Sequence, residues 1–390
     1  MISVDQALAH VLNLITPLGS ETVPLRAAAG RVLAEPVRAA GAQPPFAASA
    51  MDGYALHGNL AHPGARFTVI GEAAAGRACG LSVGPGQAVR IFTGAPVPTG
   101  ATRVIIQEDV SRTEDTITLG DTLDHADYIR PAGADFAIGA EWFPRRPLAP
   151  SDLVLMAAMN CATPRVTRKP VVALIATGDE LVMPGERPRD DQIIASNTFG
   201  LAAMVEREGG VARILPIARD TVSALTTAFA MAAGADLIVT IGGASVGDHD
   251  LVGKVAGDLG MQRAFYKIAM RPGKPLMAGR LNGTPMLGLP GNPVSSMVCG
   301  HIFMLPALRA MLGLGATPAP RASAPLACDL AANGPREHYM RATLQDGALH
   351  VAPRQDSALS RVLAGANALI LRPIDDPARE RGEMVTYLPF

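Results

Sequence analysis

Between residues 168 and 312, strand-like and helix-like segments alternate so regularly that few folds can accommodate them. Val171–Ala176 (VVALIA) is apolar without a break, the mark of a strand covered on both faces. The pattern then predicts a helix from about Asn197 to Glu208, ended by Gly209-Gly210, and a strand over Arg213–Ile217. A second helix, capped by Asp220, stops at Gly234, and a third strand, Leu237–Ile241, ends in Gly242-Gly243. Pro285–Leu289 adds a further strand ahead of a tight turn. This alternation predicts a right-handed, mostly parallel, three-layer α/β sheet. Ligands of such sheets sit beyond the carboxyl ends of the strands, where loops 177–180 and 242–250 both fall.

The flanking regions read differently. Ser3 and Gln6 form a capping-box pattern ahead of an apolar stripe of Val4, Ala7, Leu8, Val11, Leu12 and Ile15, which predicts a helix stopping near Pro17. From Glu21 to about Pro150, short β-like runs (Arg66–Ile70, Ala88–Phe92, Arg103–Gln107, Thr116–Leu119) lie between Gly- and Pro-rich turns and predict a small β-rich unit. After a linker at Gly313–Pro325, short alternating strands (His338–Leu344, Ala348–Ala352, Ala368–Leu371, Met384–Leu388) predict a small β-barrel or sandwich. A length of 390 residues is consistent with two to four such domains.

Charge and composition remove whole classes of function. With 34 basic and 35 acidic residues and only 4% aromatics, the chain offers neither an electrostatic footprint for nucleic acid nor a base-stacking surface. Cys79, Cys161, Cys299 and Cys328 are far apart and form no CxxC pair, so buried reduced thiols are expected rather than disulfides or zinc. The first residues alternate at helical spacing with no signal-peptide pattern, and no long uninterrupted apolar run suggests a membrane span. A cytoplasmic protein is the expectation. The eight histidines show no HxxxH or HExxH spacing.

Five short segments could carry chemistry. In Leu289-Pro290-Gly291-Asn292-Pro293-Val294-Ser295-Ser296, Asn292 suits a helix cap and Pro293 the first helical position. The amides of Val294, Ser295 and Ser296, with two hydroxyls, then form either an oxyanion site or a plain cap. Arg271-Pro272-Gly273-Lys274-Pro275 frames two cations with stiffening prolines, which suits an anion held in place; a solvated basic turn is the plainer reading. Asp236 leads through Gly242-Gly243-Ala244-Ser245-Val246-Gly247-Asp248-His249-Asp250 to Lys254. Its glycines let amides approach phosphate, and Asp248 and Asp250 offer hard oxygen ligands to a divalent ion, although capping aspartates explain them too. Thr177-Gly178-Asp179-Glu180-Leu181 presents paired carboxylates for a metal or sugar hydroxyls, or an acidic helix start. Asp52, in Ser49-Ala50-Met51-Asp52-Gly53-Tyr54-Ala55, reads first as a turn residue.

Taken in order, SAMDGYA (49–55), TGAPVPTGA (93–101), ATGDEL (176–181), GGASVGDHD (242–250), RPGKP (271–275) and GLPGNPVSS (288–296) closely resemble the motifs of the molybdopterin molybdenumtransferase family, which includes the E domain of gephyrin. The resemblance covers essentially the whole chain. It implies an elongated homodimer of four-domain subunits: 1–45 with 140–167 as a linking domain, 46–139 as a β-rich insert, 168–312 as an α/β molybdopterin-binding domain and 313–390 as a β-barrel. It implies a transferase that takes adenylylated molybdopterin and molybdate to molybdenum cofactor and AMP, with Mg2+ or another divalent cation. Transient contact with other molybdenum-cofactor proteins is a further expectation.

Carried over residue by residue, the resemblance gives Asp236, Gly243, Ser245, Asp248 and Asp250 the pterin phosphate, nucleotide and metal. Glu180 joins the catalytic residues and Lys254 the substrate contacts. Lys274 and Ser295, with Arg271 and Asn292, would hold the oxyanion, joined by Arg341 and Ser357 or Ser360. Asp52, Thr93, Glu108 and Asp135 would reach in from the neighbouring subunit. Three departures stand out: Arg271 where Lys is usual, Ala244 where Val is common, and Thr102 in place of an acidic residue. Two other readings stay open: an adenylyltransferase-like enzyme (or nucleotide pyrophosphatase) built on the same α/β domain, and a non-catalytic cofactor-binding scaffold.

Overall fold

A computed structural model describes residues 1–243 and 251–390, which divide into two compact units, Thr22–Val166 and Met1–Glu21 with Thr167–Phe390. In the first unit the predicted β-rich region is a six-stranded sheet in the order Arg103–Ile106, Gly53–Leu56, Gln87–Ile91, Arg66–Ala73, Thr116–Leu119, Val110–Thr113. Alternation sends Tyr54, Leu56, Phe67 and Ile117 to one face and Ala55, Val89, Ile91 and Val104 to the other, and each face has its own apolar core. Gly53 must be glycine: a Cβ there would run into the backbone of Ile105 on the adjacent strand. The helix Pro150–Ala158 packs over a third small core that includes Val37 and Met156.

The second unit is built on the predicted α/β sheet. Val211–Ile214, Val171–Ala176, Leu237–Ile241 and Thr284–Leu289 run parallel in that spatial order. Two strands that the pattern did not reveal, Met277–Leu281 and Gln262–Tyr266, extend one edge antiparallel. Both faces are covered. Val172 and Leu174 pack with Leu201 and Val205 of the helix Asn197–Arg207 and with Val4 and Leu8 of the N-terminal helix. Ala173 and Ile175 pack with Leu225 and Phe229 of Val222–Met231 and with Val252 and Val255 of Leu251–Asp258.

Local signals were mostly sound. The capping box of Ser3 and Gln6 is formed, with bonds of 3.0 and 3.1 Å. Two expectations fail. Thr221, not Asp220, caps the second helix, since its hydroxyl accepts the Ala224 amide at 3.2 Å. All four cysteines are free, but only Cys299 is buried, and Cys328 is exposed.

A helical run from Pro293 to Met311 is long and apolar enough to cross a membrane, but most of it is buried inside the protein, where Val294, Val298, Phe303 and Leu308 join the core. The C-terminal region forms a second six-stranded sheet in the order Met270–Arg271, Glu337–Gln345, Ala368–Arg372, Met384–Pro389, Ala322–Pro325, with Ala348–Val351 paired to Glu337–Gln345. Its first strand is the start of the RPGKP loop, and Arg271 lies in register with His338. That pairing joins the basic loop of the α/β region to the C-terminal sheet.

Candidate functional site

A cleft of about 460 Å³ opens at the carboxyl ends of Val171–Ala176, Leu237–Ile241 and Thr284–Leu289. Its floor is glycine for steric reasons. Gly242 and Gly243 have φ of +93° and +65°, and a Cβ on Gly242 would lie 2.8 Å from the carbonyl of Thr177. One wall is the Ile193–Thr198 segment, whose Asn197 Nδ2 donates to the Gly291 carbonyl at 2.7 Å. Pro290, Gly291, Asn292 and Pro293 form another wall, and Pro275, next to Lys274, reaches the same space.

Glu180 lines the cleft, and so does Asp220, whose position ahead of a helix had suggested a cap. Arg219 and Asp220 are stitched to the Thr177-Gly178-Asp179-Glu180 loop. The Arg219 guanidinium donates to the Asp179 carbonyl at 2.7 Å, and the Asp220 amide donates to Asp179 Oδ1 at 3.2 Å. Burial, with the nearby charges of Asp179 and Glu180, pushes the Asp220 carboxyl above the usual carboxylate range. These carboxylates therefore repel one another in the absence of a cation. Among the described residues no three His, Cys, Asp or Glu side chains gather closely enough to hold a metal. Ser245, Asp248 and Asp250 lie outside the described residues.

The helix start at Asn292-Pro293 differs from expectation in a useful way. Asn292 holds the cap position, but its side chain makes no cap bond; Nδ2 instead donates to Ser357 Oγ at 3.1 Å. The Val294 amide donates to the Ser357 carbonyl at 3.1 Å and the Ser296 amide to the Asn292 carbonyl at 2.9 Å. Of the three amides foreseen as an oxyanion cradle, only that of Ser295 is left without an acceptor among the described residues. The Ser295 side chain is buried beside it. Ser360 is exposed at the start of a short helix.

Arg341, in the C-terminal sheet, is joined to this corner through the loop of Asp356 and Ser357. It is fully buried, and its backbone is clamped by Gln355 through bonds of 2.9 Å in both directions. Its Nη2 donates to the Asp356 carbonyl at 3.1 Å, whereas Nε and Nη1 have no partner among the described residues. Burial, then the charge of Arg271, works against its positive form, with Asp356 opposing. A buried guanidinium with two idle nitrogens is costly unless an anion arrives. Asp356 and Ser357 are consecutive, so one loop links Arg341 to the Asn292 corner, and Arg271 stands within electrostatic reach of Arg341.

Asp236 is a correction. It precedes the strand Leu237–Ile241, at the end opposite the cleft and roughly 16 Å away for a strand of that length. Both its oxygens are taken: Arg168 Nη1 donates at 2.7 Å, Arg168 Nη2 binds the other oxygen, and the Val171 amide donates at 2.8 Å. Burial opposes ionisation, but these bonds and the Arg168 charge hold the carboxyl below its ordinary range. Its work is to tie two strand starts together. Lys254 is likewise apart, exposed on the helix Leu251–Asp258 and absent from the cleft lining.

In the other unit, Asp52 and Thr93 do meet. Asp52 Oδ1 accepts the Thr93 amide at 2.7 Å and the Thr93 hydroxyl at 2.8 Å. These two bonds and the charge of Arg90 lower the Asp52 pKa against a modest cost of burial. Glu108 is drawn in through Gln107, whose side-chain amide donates to Glu108 Oε1 at 3.2 Å and whose backbone amide donates to the Asp52 carbonyl at 3.1 Å. Asp135 lies elsewhere in the unit, its amide on the Gln43 carbonyl at 2.9 Å.

Comparison with known proteins adds a consistent set of likenesses. The chain matches the MoeA N-terminal region (domain I and II) over residues 2–160, a probable molybdopterin binding domain over 173–310 and the MoeA C-terminal region (domain IV) over 323–390. It is 34% identical to the molybdopterin molybdenumtransferase of Nostoc sp., across 100% of this chain and 94% of that protein. It is 35% identical to molybdopterin molybdenumtransferase 2 of Mycobacterium tuberculosis, across 95% and 94%. The crystal structure of the molybdopterin biosynthesis MoeA protein from Pyrococcus horikoshii superposes with a TM-score of 0.89 at 27% identity, covering 100% of this chain and 99% of that one.

Proposed function

Because the chain belongs to the molybdopterin molybdenumtransferase family, we propose that it transfers molybdenum from molybdate into adenylylated molybdopterin, releasing AMP and leaving molybdenum cofactor. The observation that carries the oxyanion half of this reading is Arg341, buried with two guanidinium nitrogens unsatisfied among the described residues. A tetrahedral dianion there would be met by Arg341 and Arg271, by Ser357 and Asn292, by the Ser295 amide and by Lys274. The nucleotide and pterin phosphate would occupy the adjoining cleft, whose volume of about 460 Å³ is in the range of small-molecule sites.

The chemistry asked of these residues is positional and electrostatic. Two anionic reactants repel, and fixed cations and oriented amides lower that cost without rearranging during the reaction. Hard oxygen donors suit Mg2+, and the mutual repulsion of Asp220 with Asp179 and Glu180 fits a site that gains from one. Glu180 and Asp220, with Asp248 and Asp250, would hold the cation, which when bound draws charge from the phosphoanhydride. The four-part domain layout, closure of the C-terminal sheet into a barrel, a cytoplasmic homodimer and completion of the site by Asp52, Thr93, Glu108 and Asp135 of a second copy belong to the same proposal. They rest on the family resemblance.

The test is AMP release from adenylylated molybdopterin, followed with and without molybdate, in wild type and Arg341→Gln. Release that depends on molybdate in the wild type and is lost in the folded variant is expected. Equal turnover by both proteins overturns the assignment of Arg341. Release without molybdate, or accumulation of adenylylated molybdopterin from ATP and molybdopterin, overturns the transferase reading itself.

A further inference from the structure

Arg90 belongs to no motif, yet its contacts flank three of the residues expected to act from the β-rich unit. It lies directly across from Tyr54 in the pairing of Gly53–Leu56 with Gln87–Ile91. Its guanidinium donates through Nη1 to the Gly53 carbonyl at 3.2 Å and through Nη2 to Gln107 Oε1 at 2.6 Å. The same plane lies 5.0 Å from the Tyr54 ring centre and 4.8 Å from that of Phe92. Three of these contacts lead to residues of the proposed machinery. Gly53 follows Asp52, Phe92 precedes Thr93, and Gln107 binds Asp52 with its backbone and Glu108 with its side chain.

We propose that Arg90 is the positioning residue that holds the Asp52 carboxylate, the Thr93 donor pair and the Gln107–Glu108 corner in one fixed arrangement. The proposal rests on the reading of Asp52 as a participant in the transfer. The geometry asks for arginine in particular. Two donors in a rigid fork reach the start of one strand and the turn after another at once, while the flat cation fills the space beside two aromatic rings. A lysine would supply the charge to Asp52 but only a single rotating ammonium in place of the fork. Its positive charge also favours the ionised form of Asp52, so position and charge are set by one side chain.

The experiment compares Asp52→Asn, Arg90→Met and Arg90→Lys in the full-length protein, with kcat, KM for adenylylated molybdopterin and the pH profile measured on folded, purified enzyme. Small misplacements of reacting groups cost up to about 10²-fold in rate. Arg90→Met is therefore expected to lower kcat by at least about tenfold while KM changes less than about threefold. The acid limb of its kcat–pH profile should move to higher pH, because a carboxylate deprived of a neighbouring cation ionises later. Arg90→Lys should keep the acid limb near its wild-type position yet still lose kcat, which separates charge from positioning. If Asp52→Asn is inactive while both Arg90 variants match wild type in kcat and acid limb, Arg90 has no such role. Should Arg90→Met fail to fold, Arg90→Lys decides: wild-type kcat in the folded protein overturns the proposal. Near-normal turnover by Asp52→Asn instead removes the reading of Asp52 on which it stands.

Discussion

Ser357 accepts the Val294 amide on its carbonyl oxygen at 3.1 Å and thereby fastens the loop that binds Arg341 to the first turn of the core helix. Its hydroxyl is bound from the same turn by Asn292 Nδ2, also at 3.1 Å. Two elements far apart in the chain are thus held together at the place proposed for the oxyanion.

The side-chain half of that link can be removed without touching the backbone half. Ser357→Ala and Asn292→Ala each delete one partner of a part-exposed hydrogen bond, for which about 1 kcal/mol is typical. Ser357→Ala should weaken molybdate binding by about tenfold, since the serine is also proposed to face the anion, and Asn292→Ala by less. A double-mutant cycle read by calorimetry should show coupling, as residues in contact do. Strictly additive effects would mean that the pair does not act together on the anion.

Lys274→Ala tests the basic loop. Loss of a preorganised cation at a developing charge typically costs on the order of 10²-fold in turnover. That drop is expected in molybdate-dependent AMP release, with thermal stability near wild type because Lys274 makes only backbone hydrogen bonds among the described residues. Near-normal release would take Lys274 out of the site.

What the residue pattern revealed, and what it hid, follows from distance along the chain. Val171–Ala176 and Leu237–Ile241 were legible because strands covered on both faces need uninterrupted apolar residues, and both were found with the expected bounds. Pro293 marked its helix start because proline is pre-set for the first turn. Met277–Leu281 and Gln262–Tyr266 were not legible, because an antiparallel edge is defined by pairing and not by local pattern. Asp220 looked like a cap because it precedes a helix by two residues; the better-placed Thr221 hydroxyl took that role and left Asp220 to the cleft. Asp236 looked like part of the glycine loop because a strand is short in sequence, although it is long in space. The burial of Arg341 and the hub formed by Arg90 arise from contacts between segments that share no local signal.

Asp236→Asn should behave as a stability variant. Removing the charge leaves Arg168 with a weaker acceptor, and Asp236 is the buried member of the pair at 12% exposure against 42% for Arg168. With the exposed partner screened by solvent, a loss of about 1–2 kcal/mol is expected, read as a lowered urea midpoint. Molybdate affinity and kcat of the folded variant should equal those of wild type. A selective loss of kcat at unchanged stability would return Asp236 to the chemistry.

Acid should destabilise this protein through two buried histidines. His301 is held neutral chiefly by burial, then by the charges of Arg309 and Arg207, with its pKa lowered to about 4. His338 is held likewise by burial, then by Arg271, Arg341, Arg372 and Arg336, again to about 4. In the unfolded chain each would titrate near 6.5. A base whose pKa is depressed on folding stabilises the native state fully above the unfolded value, and that stability drains away as pH falls towards the folded value. The window is therefore pH 6.5 down to about 4, with roughly 3 kcal/mol at stake per histidine by the usual conversion of pKa shift to free energy. Urea midpoints taken across that window should fall steeply, and His301→Phe, which fills the same space against the Phe390 ring, should flatten the decline. Saturating molybdate should also protect more strongly at pH 5 than at pH 7.5, because an anion beside Arg271 and Arg341 offsets the charges that keep His338 neutral. A midpoint independent of pH across this range would show that neither imidazole is held neutral by the fold.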